Sequence, residues 1–228
     1  EDPEGAEMHG CGSHLQDRES LAKDIAIYYG MISCMDKYIG QILDKLDELE
    51  LTDNTLILFT SDHGHFYGHH GLNAKGPFHY EDLVRVPFIA SWPNHIPEGK
   101  ESQSLQSLVD MAPSILQACE IEVPRSMTGV NQLPTWTGGE EARDHVLVEN
   151  RHQPHTIHVK TYINERYKLT VYWKHDYGEL FDLQEDPGEL NNLWNDPDAA
   201  KLKAELTRKL LDAELGKEPV PMPRISPA

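Results

Sequence analysis

Between Leu21 and Glu50 the apolar residues Ile25, Tyr28, Ile32, Met35, Ile39, Ile42, Leu46 and Leu49 follow one another in steps of three and four, the period of one helical face. A coiled-coil seam has the same period. A continuous apolar run, TLILFTS at Thr55–Ser61, follows directly after the turn residues Thr52-Asp53-Asn54, so the stripe is expected to cover a sheet. Such an uninterrupted strand is normally covered on both faces and predicts a central position in an α/β sheet. Val86–Ser91 reads as a second strand, with Pro87 near its start where a missing N–H is tolerated. A glycine- and histidine-rich loop, Asp62–Tyr80, lies between the two strands. A helix is expected from Asp110 to about Cys119, with Pro113 in its first turn.

The pattern changes after Gly138-Gly139. Residues 145–150, 156–163, 166–173 and 179–183 alternate as short strands, most clearly in KLTVYW. Asp196-Pro197-Asp198 then caps an amphipathic helix over about 199–215, with Leu202, Leu206, Leu210 and Leu211 on one side. The tail EPVPMPRISPA, with four prolines in eleven residues, is expected to be extended, and residues 1–18 read as an irregular lead-in. Two parts are therefore expected: an α/β segment over 1–140, and a small antiparallel sheet with one helix over 141–228.

Composition narrows the function. The 228 residues are 39% hydrophobic and 25% charged, near globular averages and unlike a disordered acidic tail. With 38 acidic and 20 basic side chains the formal charge is −18. No basic stripe offsets it, which argues against nucleic acid or an anionic membrane surface as partner. An anionic small molecule stays open, because a few local cations outweigh charge screened over about 10 Å. No apolar run reaches membrane-spanning length. Cys11, Cys34 and Cys119 form neither a disulfide framework nor a CxxC pair. The chain opens on Glu1 without a charged-then-apolar leader, so either a targeting segment has been removed or the true N-terminus lies elsewhere.

The densest chemistry is Ser61-Asp62-His63-Gly64 at the carboxyl end of the first strand, where open α/β sheets bind ligands. A turn at Gly64 can bring a carboxylate and an imidazole onto one ion, although an Asx-turn beside a chance histidine reads equally well. Next, HFYGHHGLNAKGPFHYED places His65, His69, His70, Lys75 and His79 within seventeen residues of Asp62. The glycines let this backbone turn tightly, and Lys75 supplies a point charge for an anion. His152, His155 and His158 recur at a spacing of three, but the surrounding alternation reads as strand and sends neighbouring rings apart, against zinc. Asp182 and Asp186-Pro187 read as a turn, and Trp92, Trp136, Trp173 and Trp194 as core or rim. Arg224 is too remote in sequence to assign.

Four stretches carry a resemblance: YYGMISCMDKYIGQILDKLDELELTDNTLILFTSDHG, then GHHGLNAKGPFHYEDLVRVPFIASWP, then LVDMAPSIL, then YKLTVY with GELFDLQEDPGELNNLW. In that order and spacing they resemble the C-terminal portion of the sulfatase family, in the alkaline-phosphatase-like superfamily. The resemblance implies an alkaline-phosphatase-like α/β sheet flanked by helices plus a small α+β subdomain. It implies that Asp62 and His63 hold one divalent ion, calcium in this family, and that Lys75 contacts the sulfate and stabilises the leaving oxygen. His70 matches the family's HG histidine, either as a substrate contact or as a supporting hydrogen bond. Arg151 and His152 are expected at the substrate cleft, setting specificity.

The family's nucleophile is a formylglycine made within C/S-x-P-x-R, and no cysteine here fits: the contexts are CGSHL, CMDKY and CEIEV. The expectation is therefore the C-terminal portion of a sulfuric ester hydrolase acting on a carbohydrate sulfate, its nucleophile and remaining metal ligands in the missing N-terminal half. The isolated chain is expected to be inactive. By the same resemblance it is periplasmic or secreted. A phosphodiesterase or phosphonate hydrolase of the superfamily, or a non-catalytic binding module, are the alternatives.

Overall fold

A computed structural model describes residues 17–151 and 157–217, in two compact units. One ends at Lys100 and the other is built from Glu101–Asn150 and the chain from His158.

In the first unit α1 spans Arg18–Glu48. It starts where Asp17 Oδ1 accepts the Glu19 and Ser20 N–H groups at 3.0 Å each, satisfying two amides that no helical carbonyl can reach. Its end is sharp: Glu50 turns at φ 56°, and a single 3-10 turn, Thr52–Asn54, leads on. Strand β1, Ile57–Thr60, ends at the histidine-rich loop. The chain returns through a short helix, α2 (Glu81–Val84), to β2 (Phe88–Ser91). The two strands pair antiparallel, from Ile57 opposite Ser91 to Thr60 opposite Phe88. Phe66, Leu72 and Leu83 form a small core under the loop, flanked by Phe78, Tyr80 and Val84.

Two expectations are corrected here. Among the described residues β1 pairs only with β2, so it is not central within this chain. No residue of α1 is buried; Met35 and Ile42 of its stripe are 56% and 63% exposed. Periodicity identifies the face that seeks cover, but the covering surface need not lie in the same stretch of chain.

The second unit opens with a single 3-10 turn at Leu108–Asp110, helix α3 (Met111–Ala118) and the short α4 (Leu133–Trp136). They are tied together by the buried Asp110. Its carboxylate accepts from Arg143 Nε (2.5 Å) and Nη2, Gln132 Nε2 (3.1 Å), and the Val130 and Ser107 N–H groups (2.9 and 3.0 Å). The sheet that follows is antiparallel in the order β3 (His145–Arg151), β4 (His158–Asn164), β5 (Tyr167–Tyr172), β6 (Gly178–Asp182). Each strand starts and ends within three residues of its sequence-predicted position.

Helix α5, Ala200–Gly216, is preceded by a turn in which Asp196 accepts the Asp198 N–H at 2.9 Å. Its Leu206 and Leu210 join Tyr162, Leu169, Leu180 and Ala199 in the core. Leu211, expected on the same side, is 53% exposed. Asp182, expected in a turn, is instead the last residue of β6, opposite Tyr167, with the turn beginning at the next residue, and its carboxylate accepts a forked pair of bonds from Arg166. The tail beyond Lys217, Arg224 within it, and His152 and His155 lie outside the described residues.

Candidate active site

The site begins where β1 stops. Gly64 follows because a side chain has no room there: a Cβ would collide with the Asp82 carbonyl. Its N–H donates to Leu83 O at 2.8 Å, fixing the strand's exit against α2. The loop then closes on itself, with Phe66 N–H to Ala74 O (2.9 Å) and Gly68 N–H to Leu72 O (2.8 Å). Tyr67, Gly68, His70, Gly71 and Ala74 all have positive φ. Three of the five are not glycine, and non-glycine residues adopt such angles at a cost that clusters at functional segments.

This turn brings three of the expected residues together. His63 Nδ1 lies 2.8 Å from the Gly64 carbonyl. A carbonyl only accepts, so Nδ1 carries the proton and Nε2 keeps its lone pair. That lone pair lies 3.6 Å from Asp62 Oδ2 and accepts from Lys75 Nζ at 3.2 Å. Asp62 is 84% exposed at its side chain. The His63 N–H, 2.9 Å from its Oδ1, holds its carboxyl below the usual range.

An imidazole lone pair and an ionised carboxylate converging on one point fit a divalent ion, and the Nδ1 tether to a carbonyl is the outer contact such histidines normally make. Two ligands are a partial shell, since calcium takes six to eight oxygens. Among the described residues no group of three or more His, Cys, Asp or Glu side chains is arranged to hold a metal ion. The pair fits as this chain's share of a larger site.

His70 meets Tyr80 and Asp82. Its ring stacks on Tyr80 at 3.7 Å, and its Nε2 lies 3.7 Å from Asp82 Oδ2. His69 holds the other Asp82 oxygen at 2.8 Å. Asp82 thus pins the loop's middle to α2. Arg151 is the exposed last residue of β3 and, among the described residues, makes no hydrogen bond to Asp62, His63 or Lys75.

Sequence reasoning missed the cluster on the other side of His63. His65 stacks on Tyr67 (3.5 Å, 22°), Tyr67 packs on Tyr28 of α1 (4.7 Å), and the Tyr67 N–H donates to His65 Nδ1 at 3.1 Å. Burial holds His65 below the usual imidazole range, with Asp24 acting in the opposite sense. Tyr28 had a signal, as a polar-tipped ring within an aliphatic stripe. His65 had none beyond its place in the loop.

Residues 5–121 match the family model Sulfatase, and residues 68–215 match the model N-sulphoglucosamine sulphohydrolase, C-terminal. The chain is 31% identical over 195 residues to the N-acetylglucosamine-6-O-sulfatase of Bacteroides thetaiotaomicron, covering 82% of this chain and 35% of that protein. It resembles a structure solved in complex with its substrate D-glucosamine-2-N,6-O-disulfate (TM-score 0.76, 29% identity, 82% of this chain and 39% of that one). It also resembles the phosphonate monoester hydrolase of Agrobacterium radiobacter (TM-score 0.79, 26% identity, 91% and 47%). The chain spans under half the length of each.

Proposed function

Because this chain belongs to the sulfatase family, we propose that it supplies the metal-holding and leaving-group side of a sulfuric ester hydrolase acting on a sulfated saccharide. The observation that carries this is the convergence of Asp62, His63 and Lys75 on one point, with His63 locked in the tautomer that leaves Nε2 free. Asp62 and His63 would hold one divalent ion, Ca2+ by the ligand preference of the family. When bound, that ion supplies positive charge against which the sulfate oxygens rest.

Lys75 is the mobile charge. Its ammonium, resting on His63 Nε2 here, is placed to turn to the sulfate and offset charge developing on the ester oxygen as the bond to sulfur breaks. His70, held by Tyr80 and Asp82, keeps the loop in shape rather than meeting the substrate. Arg151 and His152 are proposed as specificity contacts. The nucleophile, a formylglycine, and the other metal ligands would come from residues outside these 228, because no C/S-x-P-x-R segment exists within them. A saccharide substrate is supported by the N-acetylglucosamine-6-O-sulfatase relative and the glucosamine disulfate complex.

The test is sulfate release from glucosamine 6-sulfate by the full-length gene product, with the 228-residue chain beside it. Turnover is expected from the first and none from the second. Lys75→Ala in the full-length product should lower kcat by about 100-fold or more, as loss of one preorganised charge does. Hydrolysis of a phosphonate monoester but not of the sulfate ester would favour the second reading, a phosphonate hydrolase, which the Agrobacterium structure supports. Sulfate release by the 228-residue chain alone would refute the assignment of the nucleophile outside it.

A further inference from the structure

Two residues past His63, the His65 imidazole is held in an aromatic cluster of its own and has no assigned task. We propose that His65 is a substrate-contacting hydrogen-bond donor of this site, presenting its Nε2–H to an oxygen of the sulfated sugar, a role that rests on the function proposed above.

The tautomer follows from the backbone. The Tyr67 N–H donates to His65 Nδ1 at 3.1 Å, so in the neutral ring the proton sits on Nε2. Among the described residues Nε2 has no hydrogen-bond partner of its own. Its orientation is enforced from behind. Tyr67 adopts φ 46°, an uncommon angle for a bulky residue, and this folds its ring flat against the imidazole at 3.5 Å. Tyr28 of α1 closes the stack at 4.7 Å. One residue further on, the Leu21 side chain of α1 fills the space that a side chain at Gly68 would need. The strained backbone of Tyr67 and the rings of Tyr67 and Tyr28 act on one imidazole, which is separated from metal-holding His63 only by Gly64 in sequence.

The chemistry complements Lys75. An ammonium is a charge that many oxygens can share, whereas a fixed neutral N–H is directional and suits a hydroxyl or sulfate oxygen at one position. Such a donor selects among sugars of equal charge. Its loss leaves a substrate oxygen unpaired in a partly desolvated site.

Two variants of the full-length gene product separate the donor from the stack. His65→Phe keeps a flat ring against Tyr67 and removes the N–H; His65→Gln restores an N–H without the ring. His65→Phe is expected to lower kcat/KM for glucosamine 6-sulfate by about 10- to 100-fold with bound metal unchanged, and His65→Gln to recover a large part of it. Wild-type activity in His65→Phe would overturn the proposal, as would equal impairment of both variants.

The same series run on a phosphonate monoester separates the two levels of inference. Loss in His65→Phe there, with no sulfate ester turned over by the wild type, keeps the role of His65 and removes the sulfatase reading. If neither ester is turned over, the imidazole 15N spectrum of the full-length gene product titrated with glucosamine 6-sulfate decides. A shift of His65 Nε2–H supports the contact, and an unmoved resonance overturns it.

Discussion

Asp110 is 1% exposed and ionised, and it is held by a forked Arg143 side chain, the Gln132 amide and two backbone N–H groups. Burial pushes its carboxyl up, but the bonds from Arg143, Gln132 and the Val130 N–H outweigh burial and leave it below the ordinary 3.8. A carboxyl depressed in the folded state contributes stability that is fully present above its unfolded value and is lost as pH falls through the folded one. The urea midpoint should therefore fall as pH drops from about 5 to 3. Asp110→Asn should cost about 3–5 kcal/mol at pH 7, because Arg143 is left buried without its counter-charge, and should flatten the acid limb. Equal acid slopes for wild type and variant would show that Asp110 does not drive the transition. Gly64 illustrates the same scale at the site. Its missing side chain lets β1 exit against the Asp82 carbonyl, and that exit aims Asp62 and His63.

At the scale of elements, α5 is held to the second sheet at both ends of its apolar stripe by different means. Leu206 and Leu210 bury against Tyr162, Leu169 and Leu180. The last turn is instead held by charge. Lys160 of β4 meets Glu214 of α5 and Glu149 of β3 (3.1 Å to the latter), and Lys217 meets the same two carboxylates at 3.0 Å each. Their hydrogen bonds to Lys217 and Lys160 hold Glu149 below the usual range; at Glu214 burial opposes the same pair of lysines and loses. Because the lattice is half-exposed, each pair contributes modestly. Lys160→Met should lower stability by about 1 kcal/mol and make the thermal midpoint less sensitive to added salt. Melting at low and high ionic strength tests this, and an unchanged salt dependence would count against the lattice. Sheet edges are managed locally: Asn192 accepts the Leu180 N–H and donates to Gly178 O at 3.0 Å each, which occupies ladder groups of β6 that an incoming strand would need.

At the scale of the whole chain, the first unit carries more apolar surface than it covers. Ile27, Met31, Met35 and Ile42 of α1, with Ile89 of β2, are each more than half exposed. Exposed apolar side chains in such number mark a surface that meets other protein. The relatives and structures matched are more than twice as long as the stretch they share with this chain, and we propose that a sheet contributed from outside these 228 residues would occupy that face. The purified 228-residue chain should accordingly bind a hydrophobic dye strongly and self-associate, and co-expression with the remainder of the coding sequence should suppress both. A monomeric chain with no dye binding would show that the face is satisfied within these residues.

Much of this architecture was legible beforehand. The antiparallel strands from β3 to β6, α1 and α5 follow from periodicity and caps, because alternation and three-four spacing are local and each residue's side is set by its own backbone geometry. Asp62, His63 and Lys75 were singled out by their place in a short strand-turn-loop stretch, their roles only by the resemblance, and the structure brings the three side chains together. Asp110 with Arg143, Lys168 with Glu189 buried at 2.7 Å, and Tyr28 with His65 were not, since a long-range pair leaves no period in a sequence. Local patterning determined which segments are helix or strand and which face of each is apolar. Tertiary contact alone decided which of those faces is covered, which tautomer His63 and His65 adopt, and which polar residues meet. Burial and hydrogen-bond partners depend on segments brought together from far along the chain.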